Sequence, residues 1–177
     1  MRTDQLFSGS AFSAFQPFAA PQPDYEKLKD VANSIVPFGE LAGVRITELT
    51  PDRAVAELPQ RAEVMNHVGT VHAAALYLAA DFAGAVSLVG AAPTDVGLIE
   101  WLVVRSGHST FLKPALGRIR AIGTVNERDV RILRGRDGAG KFDLDARALL
   151  YDDDDVLVAK FTFDYACLIG APAPIAA

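Results

Sequence analysis

One cysteine, three histidines and a shortage of basic charge set the first limits on this chain of 177 residues. The lone Cys167 cannot form an internal disulfide, and nothing resembles a secretory signal, so a reducing cytoplasm is the expected compartment. Cys167 sits in an apolar C-terminal run and reads as an inert buried thiol. His67, His72 and His108 have neither HExxH nor a comparable ligand spacing, so no metal site is expected. Lys and Arg number 17 against 22 Asp and Glu, a net charge of -5. Nucleic-acid binding needs a basic stripe to release counterions, and the N-terminal segment offers no basic cluster for a helix-turn-helix. A membrane span is also disfavoured: from Val68 to Ala80 the only acidic or basic side chain is His72, but Asp81 then interrupts the run. The phosphate-loop spacing is missing too, since "GRDGAGKF" places Phe142 after Lys141 where a hydroxyl belongs. Asp152 to Asp155 lack the alternate spacing of a calcium loop and read as a solvated tip between strands.

What is present suffices for one globular domain, with 50% hydrophobic residues. Residues 1–23, with four Phe among Ser, Ala, Gly and Pro, read as an arm, either loosely ordered or laid across the body. Residues 24–170 read as the domain and 171–177 as a plain tail. Asp24 caps a predicted helix "YEKLKDVANSIV" that Pro37 ends, with "FGELAG" as a turn. "GVRITEL" and "AVAELP" alternate as a hairpin. "HAAALYLAADFAGAVSLVG" is apolar nearly all round and predicts a long buried helix. Strand-like segments follow: "LIEWLVVRSGHSTFL" with Gly107 as a bulge or bend, "RIRAIGTVNER", "VRILRGR", "FDLDARALLY" and "VLVAKFTFDYACLIG", with "GRDGAGK" as a hairpin tip. The fold class is α+β, one antiparallel sheet of about 5–6 strands around a central helix.

Within "NHVGTVHAAALYLAAD", residues 66–81, four hydrogen-bonding side chains interrupt an otherwise small and apolar stretch. His72 falls at the helix entry, where the N–H groups of His72, Ala73 and Ala74 accumulate at the positive end of the helix dipole. Small side chains at Ala73 and Ala74 let a ligand carbonyl approach the backbone. Asp81 lies two turns further, as a carboxylate for chemistry or as a buried acid tied to a Tyr or to backbone. Asn66 is either a site residue or the organiser of its own Asx-turn. There is no G-x-S-x-G, and Ser87 lies within the helical run. Ser106 or Ser109 beside His108 is a looser nucleophile reading, with surface strand residues as the plain one.

These residues resemble those of the hotdog-fold thioesterases, particularly the phenylacetate-pathway, PaaI-like branch. That branch carries N-x-x-G-x-x-H-G-G with an Asp eight residues after the first Gly of the pair. Here the pattern stands as Asn66, Gly69, His72, Ala73, Ala74 and Asp81, and "STFLKPALG" resembles the segment after the helix. The similarity runs from about Phe38 to Leu168, and it departs in one place, where Ala73 and Ala74 replace the glycine pair. The resemblance implies a hotdog fold and hydrolysis of an acyl-CoA thioester without cofactor. Ala73 N–H would stabilise the oxyanion, Asp81 would act as general base or nucleophile, Asn66 would orient water or thioester, and His72 would hold the helix entry. Gly69 and Ala74 would flank the substrate, with Ser106 and Ser109 as candidates for the hydroxyl that some members carry after the helix. It also implies a homodimer or homotetramer, with the site built between protomers. Two other readings stay open: a non-catalytic acyl-CoA or lipid-binding protein, and, more weakly, an enoyl or hydroxyacyl thioester hydratase or dehydratase.

Overall fold

A computed structural model describes residues 11–170 apart from Pro21 and Asp137. The outer parts of the arm and the tail, residues 1–10 and 171–177, therefore lie outside the described residues. A 3-10 turn over Ala11–Phe15 leads into the short helix α1 (Gln16–Ala19), and Phe15 is fully buried. Helix α2 (Tyr25–Ile35) begins where Asp24 accepts a hydrogen bond from Lys27 N–H at 3.1 Å, and it buries Leu28 and Ala32, one turn apart. The chain does not simply turn at Pro37. Pro37 opens a second short helix, α3 (Pro37–Ala42), because its missing N–H costs nothing in the first helical turn.

The expected hairpin forms as β1 (Arg45–Leu49) and β2 (Ala54–Leu58). After the loop comes the central helix α4 (Ala73–Ala91), then a short α5 (Pro93–Val96). Strands β3 (Ile99–Phe111) and β4 (Ile119–Val125) follow, then helix α6 (Glu127–Arg134), β5 (Gly140–Tyr151) and β6 (Leu157–Ile169). All pairings are antiparallel, in the order β1-β2-β4-β5-β6-β3. Helix α4 packs across β4, β2 and β5, so one sheet face carries the core.

Helix α4 has the length and composition of a membrane span, with a mean hydropathy of 1.6, yet 67% of that window is buried inside the protein. Its small residues permit the closeness: a side chain at Gly123 of β4 would collide with the backbone of Ala83 and Gly84. On β6 the period of two turns Phe161, Phe163 and Tyr165 inward under α4, where Tyr77 meets both Phe rings edge-on at 5.6 and 5.2 Å. Each such buried ring contributes roughly 1.5–3 kcal/mol of transfer free energy.

Three expectations need correction. "VRILRGR" is not a strand but the body of α6. Asn126 caps it by accepting Arg128 N–H at 3.0 Å, and Val130 and Leu133 bury one stripe while the arginines face out. "GRDGAGK" consequently joins a helix to β5 and is no hairpin tip. Gly107 is not itself a bulge; the register of β3 slips at Ile99/Trp101 and Val104/Ser106, and Gly107 makes room for the Tyr77 hydroxyl. The acidic turn between β5 and β6 is partly neutralised: Asp153 pairs with Arg118 at 3.1 Å, and Asp155 pairs with Arg120. Cys167 is buried as expected, and burial pushes its thiol up to about 12.

Candidate active site

The loop before α4 is built by Asn66. Its side-chain oxygen accepts from Val68 N–H and Thr70 N–H at 3.1 and 3.0 Å, and its amide donates to the Thr70 hydroxyl at 2.7 Å. Asn66 N–H donates to the Thr70 carbonyl, and Gly69 takes a φ of +79° that closes the turn. Asn66 is thus an Asx-turn organiser, whatever further contact it offers to a ligand. His67 and Gly69 are exposed on that loop.

His72 is the N-cap of α4, and its Nδ1 accepts a hydrogen bond from Ala74 N–H at 3.0 Å. The N–H of His72 itself donates to the Val64 carbonyl at 2.8 Å. The expected cluster of three free amides therefore reduces to one, because two of them already have acceptors. Ala73 N–H has no acceptor among the described residues and faces an exposed position at the positive end of α4.

Asp81 is half-buried two turns along α4. Its Oδ1 accepts from the Tyr165 hydroxyl at 2.7 Å, and that hydroxyl also lies 3.1 Å from the Asp81 carbonyl oxygen. Burial holds the Asp81 carboxyl above its usual range, and the Tyr165 hydrogen bond pulls it partly back. Tyr165 in turn is pushed well above the ordinary phenol value by burial and then by the Asp81 charge. Tyr77, one turn before Asp81, is raised by the same two causes. Gly84 completes the arrangement, since a side chain there would stand 3.0 Å from the Tyr165 hydroxyl.

Asp81 and Tyr165 lie at an apolar cleft of about 240 Å³ between α4, β3 and the N-terminal segment. Leu78, Ala85 and Val89 come from α4, Leu102 and Val104 from β3, and Phe12 and Phe15 from the arm. The expected tie of Asp81 to a Tyr is thus made by Tyr165, a residue the sequence reading does not single out, although a lone hydroxyl in the inward series "FTFDY" is the available signal.

Asn66, Ala73, Ser106 and Ser109 do not line this cleft. A helix rises about 1.5 Å per residue, so Ala73 and Asp81 stand roughly 12 Å apart along the axis. Ser106 and His108 instead border a wide open groove on the sheet, where Arg128, Arg131 and Arg147 mix with Asp145 and Asp164. Ser109 pairs across from Phe161 on β6. Ser87 is buried and bonds back to the Gly84 carbonyl at 2.7 Å, so it is no nucleophile.

Residues 25–166 match the family described as DUF4442, a domain of unknown function, and the chain belongs to that family. No curated protein matches the sequence. Among solved structures, the chain is similar to a Pseudomonas aeruginosa protein of unknown function described as a probable thioesterase, with 23% identity and a TM-score of 0.67 over 85% of this chain and 99% of that one. A variant of the phenylacetic acid degradation protein PaaI from Thermus thermophilus shares 23% identity with a TM-score of 0.56, covering 74% of this chain and 98% of that one. The E. coli PaaI protein shares 17% at a TM-score of 0.57, covering 77% and 87%. The six-stranded sheet over one long helix is accordingly the hotdog fold that these solved structures share.

Proposed function

We propose that this protein is a cytoplasmic acyl-CoA thioesterase that works as a homodimer or a dimer of dimers, without metal or cofactor. One observation carries the reading: α4 bears an N–H at Ala73 without an acceptor among the described residues and, two turns on, a carboxylate of raised affinity for protons that lines an apolar cleft. The acyl group lies in the cleft. The thioester oxygen takes the Ala73 N–H as negative charge develops on it. Asp81 withdraws a proton from water, the hydroxide adds to the carbonyl carbon, and the C–S bond breaks as that proton passes to sulfur, giving the CoA thiol and the acid. If Asp81 attacks instead, the same bond breaks to leave an acyl-aspartyl anhydride that water then hydrolyses to the acid. Tyr165 engages Oδ1 and fixes the carboxylate, leaving Oδ2 for the water. A carboxylate held above its usual range is a stronger base than a free one.

The separation of Ala73 from Asp81 along one helix supports a site shared between two copies, one giving the amide and the other the carboxylate. So does β3, a 13-residue strand at the sheet edge, with Val103 and Phe111 about half exposed at 46% and 49%. Thiol release from a panel of acyl-CoA esters, with Asp81→Asn as the control, tests the reading. Hydrolysis that survives in the variant removes Asp81 from the mechanism.

A non-catalytic acyl-thioester-binding role is the second reading. It is favoured by the methyls of Ala73 and Ala74 and by the engagement of Asp81 with Tyr165. Tight binding with no thiol release at any acyl length selects it.

A further inference from the structure

The family match begins at residue 25, but the cleft beside Asp81 takes part of its wall from residues before that point. The 3-10 turn Ala11–Phe15 packs against β3, α2 and α5. Phe15 is its anchor, fully buried, with the Phe12 ring 6.0 Å away between centroids. A second tie follows at once, where the Gln16 side-chain amide donates to the Gly97 carbonyl at 3.0 Å. Phe12, unlike Phe15, is only half-buried and lines the cleft. The turn is therefore fixed at Phe15 and Gln16 and presents Phe12 to the cleft.

We infer that Phe12 is a specificity-determining residue, closing an acyl subsite that takes an acyl group of about eight carbons. This rests on the thioesterase reading for the identity of the ligand. The occupant follows from three features. Among the described lining residues only Asp81 is ionisable at ordinary pH, Tyr165 supplies the one other polar side-chain group, and the others are aliphatic or aromatic. A wholly charged or sugar-like ligand finds no partners there, whereas an acyl tail places its carboxyl carbon at Asp81 and its chain along the wall. An apolar cavity of roughly 150 Å³ holds the six carbons of benzene, so about 240 Å³ has room for a few carbons more. From Asp81 to Val89 the helix rises roughly 12 Å, room for an extended chain of that size. The nucleotide and pantetheine of CoA do not fit inside and stay outside the cleft.

The test uses the full chain, as wild type, Phe12→Ala and Phe12→Trp, with non-hydrolysable thioether analogues of butanoyl-, octanoyl- and dodecanoyl-CoA. Calorimetry reads their binding, and thiol release reads hydrolysis of the matching thioesters. Wild type should prefer eight carbons. Phe12→Ala should raise the dodecanoyl-to-octanoyl ratio about tenfold, and Phe12→Trp should lower the octanoyl-to-butanoyl ratio by a similar factor. A variant that changes all three lengths by one common factor, or wild type that binds none of the analogues, overturns the inference. Length-selective binding without any thiol release sinks the thioesterase reading and leaves Phe12 in its role. Phe12→Trp keeps the test open if Phe12→Ala loses its fold, since it retains the buried ring area.

Discussion

The Tyr165 hydroxyl stands 2.7 Å from Oδ1 of Asp81 and 3.1 Å from the carbonyl oxygen of the same residue. One phenol thus ties the innermost face of β6 to the middle of α4 and fixes a carboxylate at the same time. The two effects on that carboxylate oppose each other: burial favours the protonated acid, and the donated hydrogen bond favours the ion. Burial is the larger, so the group sits above its usual range while keeping one oxygen engaged.

Removing only the phenol oxygen separates these effects. In Tyr165→Phe the ring still packs beside Phe163, but the influence that lowers the Asp81 value is gone. Asp81 should then titrate at higher pH still. If the ionised carboxylate performs the chemistry, the acid limb of the kcat profile moves to higher pH. Stability should fall by about 1–3 kcal/mol, the usual cost of leaving a buried hydrogen-bond partner unsatisfied. A pH–rate series beside urea unfolding reads both, and an unmoved acid limb disconnects Tyr165 from the chemistry.

Asp81→Asn should lower thioester hydrolysis by a factor of about 10²–10⁴, the typical contribution of a positioned base. Its effect on stability has the opposite sign. The folded chain binds the Asp81 proton more tightly than the unfolded chain does. The stabilisation from this group is therefore fully present below the unfolded value and is lost as pH rises through the folded one. Above the folded value the ionised, half-buried carboxylate is a cost, so Asn should leave Tm unchanged or raised there. A thermal-unfolding series from acid to alkaline pH checks the sign, and a Tm that falls at the alkaline end contradicts it.

Much of the fold is legible in the residues alone. Alternation marks the β1–β2 hairpin, and the long apolar run around Asp81 marks α4 to within a residue of its start. The strand reading of "VRILRGR" failed because a short stretch of β-branched and long side chains fits both periods. Only the cap at Asn126 and the i, i+3 pair Val130 and Leu133 separate them. At the site, spacing brought out Asn66, His72, Ala73 and Asp81. It could not show that His72 uses up the Ala74 amide, since that depends on a rotamer. Nor could it bring Phe12 or Leu102 to Asp81, because those contacts join segments far apart in the chain.

The closeness of α4 to the sheet predicts a sharp intolerance at Gly123. A methyl there meets the backbone of Ala83 and Gly84, which cannot swing aside as a side chain can. Gly123→Ala should cost at least about 1–3 kcal/mol, the usual range for overpacking. The displaced helix would carry Asp81 with it. Urea denaturation should show a lowered midpoint, together with a loss of octanoyl-CoA hydrolysis. Wild-type stability in the variant would mean that α4 has room to move away from β4.

The most selective test of the oxyanion assignment deletes a single hydrogen. Ala73 is the first residue of α4, a position where proline is accepted because its N–H has no helical partner. A proline also restricts the residue before it to extended conformations, and His72 already has φ -65° and ψ 139°. Ala73→Pro should therefore keep α4, its His72 cap and the fold. It removes the amide left without an acceptor among the described residues and leaves Asp81, Tyr165 and the cleft in place. Hydrolysis should drop by about 10²–10³, the usual cost of losing an oxyanion donor, while binding of an octanoyl-CoA thioether persists. Ala73→Gly, which keeps the N–H, should retain turnover. If Ala73→Pro folds and still hydrolyses at the wild-type rate, the oxyanion is held by some other group and the helix entry has only a structural role.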